Sequence, residues 1–204
     1  MDGDRRMTTI RKLRPSELVN AASLLSRAMR DNPINVRAFG GDATRRGRTL
    51  TRFFESVLRG LERRGSILAA VEGEVLLGVY AEAPPGHCQP TLTEKIRVVP
   101  SVLFGQSVAA SIRVGHWVAE WSRRDPAERH WHLGPVAVDA PVQGRGIGRA
   151  MMAEFCARMD ERAAMAYLET DKATNVRFYQ QCGFAVIAEA EVLGVPNWFM
   201  LRRA

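Results

Sequence analysis

The hydrophobic positions of the chain follow two spacings, which predict alternating helices and strands. Apolar residues at every third or fourth position predict helices, and short apolar or β-branched runs bounded by turn residues predict strands. Strands are expected at residues 10–14, 66–71, 75–83, 131–138, 165–170, 184–192 and 198–202. Helices are expected at residues 15–30, 44–63, 98–121, 147–159 and 175–182. This order predicts an α/β or α+β domain with a mixed sheet.

Turn residues separate these elements. The sequence Asp31-Asn32-Pro33 ends the first helix, and a loop that contains Gly40 and Gly41 follows it. Residues 72–74 (Glu-Gly-Glu) lie between two strands, which predicts an antiparallel hairpin. The helix at residues 175–182 stops at a glycine, as helices commonly do.

The least regular part of the chain lies between residues 88 and 128. Its apolar positions predict one or two helices that start after Pro100, with polar interruptions at Gln106 and Arg113. We interpret residues 88–128 as a helical insertion that covers one side of a pocket. The length of the chain fits a single domain over residues 1–204.

Composition is that of a folded globular protein. The chain has 204 residues, of which 46% are hydrophobic and 25% charged, so it can bury a sizeable core. No apolar run approaches the roughly 18 residues of a membrane span, and residues 1–15 lack the apolar region of a secretory signal. Three widely spaced cysteines without a CxxC motif predict free thiols in a reducing cytoplasm. No residues have metal-ligand spacing, so no metal is expected.

The net charge of +7 raises the question of an anionic partner. A nucleic-acid-binding protein usually shows a continuous basic stripe with interleaved aromatic residues. Here the arginines occur as scattered pairs, at residues 5–6, 45–46, 63–64, 123–124 and 202–203. This pattern favours a solvated surface over nucleic-acid binding, and a phosphate-rich small molecule would need only a few of these arginines.

The segment with the clearest chemistry is a glycine-rich turn between a strand and a helix. It reads Gln143-Gly144-Arg145-Gly146-Ile147-Gly148. The first N–H groups of a helix are unpaired and lie at the positive end of its dipole, so such a turn can bind an anion. The dinucleotide motif is excluded because the turn comes late in the chain, and the Walker motif is excluded because no Gly-Lys-Ser/Thr follows. A purely structural turn remains an alternative at this point.

The same turn resembles the Q/R-x-x-G-x-G/A motif of the GNAT acetyltransferase superfamily. The flanking sequences LGPVAV, YLET and NVRFYQQCGF also resemble that superfamily in the same order, over about 70 residues. Within it, the chain is similar to puromycin N-acetyltransferase-like members. The resemblance implies a GNAT fold, with a mostly antiparallel sheet splayed between strands 4 and 5 and flanked by helices. It also implies acetyl-CoA as co-substrate, a cytoplasmic enzyme and a homodimer.

The resemblance also implies which residues hold acetyl-CoA. The pyrophosphate would lie on the N–H groups of the glycine-rich turn, and the pantetheine arm would pair with the strand before it, as an added strand does. Pro135 independently predicts a strand edge or a bulge there, because proline cannot donate to a sheet, and a strand that ends early is the alternative. The implied residues are Val136, Ala137, Val138, Gln143, Gly144, Arg145, Gly146, Ile147, Gly148, Arg149, Asn175, Phe178 and Tyr179.

Two residues are candidates for catalysis. The resemblance implies that Tyr179 points at the thioester sulfur and stabilises the departing thiolate by a hydrogen bond. Its phenol has a reference pKa of about 10 and a thiol about 8.5, which makes full proton transfer uphill. His132 lies where some members carry a glutamate base, and a histidine pKa near 6.5 would suit a general base at neutral pH. Glu82, Glu169 or a water chain could serve instead.

Three functions remain open from the sequence. The first is an acetyl-CoA-dependent N-acetyltransferase that acts on the primary amine of a small molecule by direct attack in a ternary complex. The second is an N-acetyltransferase of a protein or peptide, which an open groove would favour. The third is a non-catalytic, CoA-binding regulatory module. The N-terminal 130 residues, where substrate choice would lie, resemble the superfamily only in layout.

Overall fold

A computed structural model describes residues 8–103 and 107–203. Residues 1–7, which include the arginine pair at residues 5–6, lie outside the described residues, and so does Gln106 of the predicted insertion. The strands are β1 Thr9–Lys12, β2 Ser66–Glu72, β3 Val75–Ala83, β4 His130–Val138, β5 Met165–Thr170, β6 Ala185–Val192 and β7 Val195–Arg202. The helices are α1 Leu18–Met29, α2 Pro33–Phe39, α3 Ala43–Arg64, α4 Leu92–Leu103, α5 Val108–Ser122, α6 Ile147–Glu161 and α7 Ala173–Gln180.

The strands form one sheet of seven, in the order β1-β2-β3-β4-β5-β7-β6. Every neighbouring pair is antiparallel except β4 and β5, which run parallel. The predicted hairpin is present as β2 and β3, which are joined at Gly73 with a φ of 60°. The mixed, mostly antiparallel sheet that the sequence predicted is therefore confirmed.

The sheet splays open in its middle, between β4 and β5. These strands pair only at His130, Trp131 and His132, so the second half of β4 has no partner on that side. On its other side β4 carries one extra residue between Leu133 and Val136, opposite the step from Tyr80 to Glu82 in β3. The bulge expected at Pro135 is thus present, and it lies where β4 leaves β5.

Helices cover both faces of the sheet, and the two largest of the three apolar clusters among the described residues lie between the helices and the sheet. One core packs α1, α2, α3 and α5 against one face. The other packs α6 and α7 against the opposite face, around Met151, Phe155 and Tyr80. The predicted apolar face of α6 is confirmed, because Ile147, Met151, Phe155 and Met159 are all buried.

Two helical predictions were wrong. Residues 33–39 form α2 instead of a loop, because Pro33 at the first helical position has a φ suited to a helix. Helix α4 begins at Leu92 and contains Pro100 instead of starting after it. A capping box starts α4: Thr91 Oγ1 accepts the Glu94 N–H at 3.2 Å, and the Glu94 carboxylate accepts the Thr91 N–H at 2.9 Å.

Within the described residues, no helix combines the length and the apolar composition that crossing a bilayer requires.

Candidate functional site

A cleft of about 720 Å³ opens where β4 separates from β5. The unpaired edge of β4 forms one wall, the start of α6 and the helix α7 form the other, and the end of α1 closes it. Twelve of the thirteen residues expected to bind acetyl-CoA line this cleft: Val136, Ala137, Val138, Gln143, Gly144, Gly146, Ile147, Gly148, Arg149, Asn175, Phe178 and Tyr179. Residues separated by more than forty positions in the sequence thus share one surface.

The glycine-rich turn has the conformation that its composition predicts. Gly144 and Gly146 both have a φ of 81°, a region that residues with a Cβ rarely adopt. Gly146 is the N-cap of α6, and its carbonyl accepts the first helical hydrogen bond, from Ala150 N at 3.0 Å. The N–H groups of the first turn have no carbonyl one turn earlier, so they face the cleft as donors for an anion.

The charges around the cleft differ in part from expectation. Arg149 lines the cleft, and so does Lys172, which precedes α7. Arg145 does not: its guanidinium lies 3.2 Å from the carboxylate of Glu72, and the side chain does not contribute to the wall. Its predicted part in acetyl-CoA binding therefore stays a prediction that rests on its backbone N–H, which belongs to the turn.

A second, smaller cavity of about 240 Å³ adjoins the cleft. We call it the chamber. It lies under α5, which contributes Trp117, Val118, Trp121 and Ser122, so the region predicted as an insertion forms one of its walls. The chamber and the cleft share five lining residues, and these define the junction between them: Met29, Asn32, Val136, Asn175 and Tyr179.

Tyr179 lies at this junction, on α7. Its side chain is buried, and burial raises the pKa of its hydroxyl, so the phenol stays protonated at neutral pH. Its hydroxyl makes no hydrogen bond to any residue in the part of the chain that the structure describes. The neighbouring Asn175 donates from Nδ2 to Thr170 Oγ1 at 3.2 Å. A protonated, unengaged hydroxyl at the junction is a hydrogen-bond donor available to a ligand.

His132 and Glu169 form a pair in the chamber. His132 Nε2 lies 2.8 Å from Glu169 Oε2, whose side chain is only 4% exposed. Burial alone would lower the pKa of His132, but the Glu169 carboxylate outweighs it and raises that pKa to about 9. The unperturbed pKa near 6.5 does not apply in the fold, because strand pairing brings a carboxylate beside the ring. His132 is an imidazolium at neutral pH.

Glu82, an alternative base, lies away from the cleft and the chamber, as does Trp131 of β4. Glu82 pairs with Arg158 of α6, on the opposite face of the sheet, and burial raises the pKa of its carboxyl. Trp131 stacks against Arg162, with the guanidinium carbon 5.3 Å from the ring centroid. Residues 8–103 and 107–203 contain no group of three or more metal-ligating side chains.

Sequence reasoning missed several polar residues that line the site, and Lys172 and Asn32 are two of them. Lys172 lines the cleft, and a lysine one residue before the helix that carries Asn175 could have been noted as a phosphate contact. Asn32 lies at the junction and is 6% exposed. The only sign of Asn32 in the sequence is its position before Pro33, and the pattern Asp31-Asn32-Pro33 predicts the end of a helix.

Comparison with known proteins agrees with this geometry. The model of the family described as "Acetyltransferase (GNAT) family" matches residues 44–184. The fold is similar to the structure of a histone acetyltransferase HPA2 and related acetyltransferase from Corynebacterium glutamicum, with 21% identity, 97% of each chain covered and a TM-score of 0.73. An agmatine N-acetyltransferase variant in its apo form is similar over 97% of this chain and 99% of that one, with 12% identity and a TM-score of 0.62.

A third similar structure contains the expected co-substrate. It is a GNAT family acetyltransferase from Brucella melitensis in complex with acetyl-CoA, with 19% identity, a TM-score of 0.52 and coverage of 98% of this chain and 89% of that one. At these identities the structural likenesses support the fold, and the family match rests on the sequence model.

Proposed function

The chain belongs to the GNAT acetyltransferase family and is an acyltransferase, and from that premise we propose that it transfers an acetyl group from acetyl-CoA to the primary amine of a small molecule. The observation that carries this proposal is the junction of the cleft and the chamber at Tyr179. A donor in the cleft and an acceptor in the chamber would meet there in one ternary complex, which favours direct transfer.

The cleft fits coenzyme A in its chemistry. One part of its lining carries the N–H groups of the α6 turn and the cations Arg149 and Lys172, which suit a pyrophosphate. Another part is the edge of β4 from Val136 to Val138, which is unpaired on the β5 side and can hydrogen-bond the amide groups of a pantetheine arm as a neighbouring strand would. Acetyl-CoA, when bound, supplies the acyl group as a thioester.

The residues at the junction would assist the transfer in separate ways. Tyr179 donates a hydrogen bond to the leaving sulfur, because its hydroxyl is protonated and unengaged. A backbone N–H near Val136 stabilises negative charge that develops on the carbonyl oxygen. Most of the rate enhancement in this proposal comes from positioning the two substrates and from these fixed dipoles.

The proton of the amine has two possible routes. The first is the His132–Glu169 pair, in which the imidazole can accept a proton only after it loses its own, near pH 9. The second is a chain of water molecules, with His132 lining the chamber as a fixed cation. The pH dependence of turnover separates these routes.

The size and cover of the chamber favour a small acceptor. An apolar cavity of about 150 Å³ can hold benzene, so the chamber's 240 Å³ accommodates one ring with a short chain. Helix α5 and the aromatic rings of Phe53, Trp117 and Trp121 cover it. A protein acceptor would need an open groove instead. The puromycin N-acetyltransferase-like resemblance and the similarity to an agmatine N-acetyltransferase agree with a small amine, without identifying it.

The test follows free CoA thiol with acetyl-CoA and a panel of amines: phenethylamine, tyramine, putrescine, agmatine, puromycin and a lysine-containing peptide. Thiol release with at least one small amine, and none above background with the peptide, supports the proposal. Release with the peptide alone would assign a protein acceptor. Tight acetyl-CoA binding without thiol release from any amine would instead indicate a regulatory CoA-binding module.

A further inference from the structure

Asn32 occupies a helix-capping position but does not cap. It is the N-cap residue of α2, where an asparagine side chain normally accepts a hydrogen bond from the second or third helical N–H. Here its side chain makes no such bond, and no hydrogen bond of its carboxamide to any other described residue is present. The residue is only 6% exposed, and its unpaired carboxamide is available to a ligand.

A different residue performs the capping. Asp171, which follows β5, accepts the N–H of Ile34 on its Oδ2 at 2.8 Å, from a position 137 residues further along the chain. Burial raises the pKa of the Asp171 carboxyl, and the N–H of Ile34 opposes that effect. Since Asp171 satisfies the start of α2, the Asn32 side chain is released to line the junction.

The junction contains three polar side chains, and two of them have other tasks. Asn175 is bonded to Thr170, and Tyr179 is the proposed donor to the leaving sulfur. Asn32 lines both the cleft and the chamber. It is therefore the remaining polar group at the place where an acceptor amine from the chamber would meet the acyl group.

We propose that Asn32 holds the attacking amine, with its Oδ1 accepting one N–H of the neutral acceptor. An amine that attacks a carbonyl must keep its lone pair free, so its N–H bonds need acceptors that do not favour protonation. A carboxylate at this place would favour the ammonium form, whereas a carboxamide oxygen orients the amine without adding charge. This inference rests on the proposed transferase function and adds the residue that positions the acceptor.

The test compares Asn32→Ala and Asn32→Asp with the wild-type chain, using the panel amine that the wild type turns over fastest. Asn32→Ala removes the acceptor oxygen, so its KM for the amine should rise about tenfold while the KM for acetyl-CoA is unchanged. Asn32→Asp keeps an acceptor but adds charge. Its KM for the amine should stay within about threefold, while kcat at pH 7 falls about tenfold and recovers as the pH is raised.

Two controls keep the result interpretable. Asn20→Ala makes the same change on the exposed surface of α1 and should leave all constants unchanged. Thermal unfolding should show little loss of stability in Asn32→Ala, because Asp171 supplies the cap; if that variant fails to fold, Asn32→Ser is measured in its place.

The outcomes separate this inference from the function on which it rests. If the wild type and Asn32→Ala turn over the amine equally well, the role of Asn32 is overturned and the proposed transferase function stands. Equal impairment of the alanine and aspartate variants, with a raised KM for acetyl-CoA, also overturns this role. That result would mean that the amide N–H of Asn32 binds acetyl-CoA, and that its Oδ1 does not hold the amine. Absence of thiol release from the wild type with every amine overturns both.

Discussion

Replacement of Glu169 by glutamine should change how stability depends on pH, because Glu169 holds His132 in its charged form. The ring lies 2.8 Å from the Glu169 carboxylate, and the folded-state pKa of His132 is about 9, compared with about 6.5 for a free histidine. This rise corresponds to roughly 3 kcal/mol of stabilisation, at about 1.4 kcal/mol per tenfold change in proton affinity.

The sign of the effect follows from the raised pKa. The stabilisation is fully present below about pH 6.5 and is lost as the pH rises through about 9. Glu169→Gln should therefore lower the free energy of unfolding by roughly 3 kcal/mol at pH 6 and by much less at pH 9.5. His130, whose pKa Asp125 raises to about 10 against the effect of its burial, contributes in the same direction in both proteins. The contribution of His130 therefore cancels when the free energies of unfolding of the two proteins are subtracted.

Urea unfolding of both proteins at pH 6, 7.5 and 9.5 measures this difference, and His132→Asn serves as the matched partner in a double-mutant cycle. The same variant bears on the proton route. If neutral His132 is the base, kcat/KM should rise with pH near 9 in the wild type and near or below 6.5 in Glu169→Gln, where burial lowers the pKa of His132 without the opposing carboxylate. A difference in free energy of unfolding between the two proteins that is the same at all three pH values would refute the assigned charge of His132. A pH dependence of kcat/KM that is the same in both proteins would favour the water chain.

Two further variants test the donor side of the site. Tyr179→Phe should lower kcat well over tenfold and leave acetyl-CoA affinity nearly unchanged, as measured by steady-state kinetics and calorimetry; unaltered turnover would remove Tyr179 from the mechanism. Gly146→Ala places a Cβ at a φ of 81° and should cost about 1 kcal/mol of stability and weaken acetyl-CoA binding about tenfold. Gly115→Ala, in an open position within α5, is its control, and equal affinities in the two variants would contradict the anion role of the turn.

The sequence was sufficient for the parts of the molecule that depend on local chemistry. Helical spacing correctly identified the buried face of α6, because one residue in every three or four falls on the same side of a helix. The glycines of the turn were identified correctly for a similar reason, since only residues without a Cβ readily take the positive φ of Gly144 and Gly146. The bulge at Pro135 follows from the missing N–H of proline.

Two local signals were present but were given the wrong weight. Asn32-Pro33 starts α2, although the same pair commonly ends a helix. Thr91 and Glu94 form the capping box of α4, and this spacing outweighs the helix-breaking tendency of Pro100. In both cases a correct reading was available from the sequence, but competing rules for proline favoured a break.

Only the tertiary structure decided the properties of the acceptor side. The parallel pairing of β4 with β5 places His132 beside Glu169, 37 residues away, and so makes a cation of a histidine that sequence alone treats as a neutral base. Asp171 caps α2 from 137 residues away and frees Asn32 for the junction. The charge and availability of a side chain depend on its neighbours in space, and no spacing rule within a single segment specifies those neighbours.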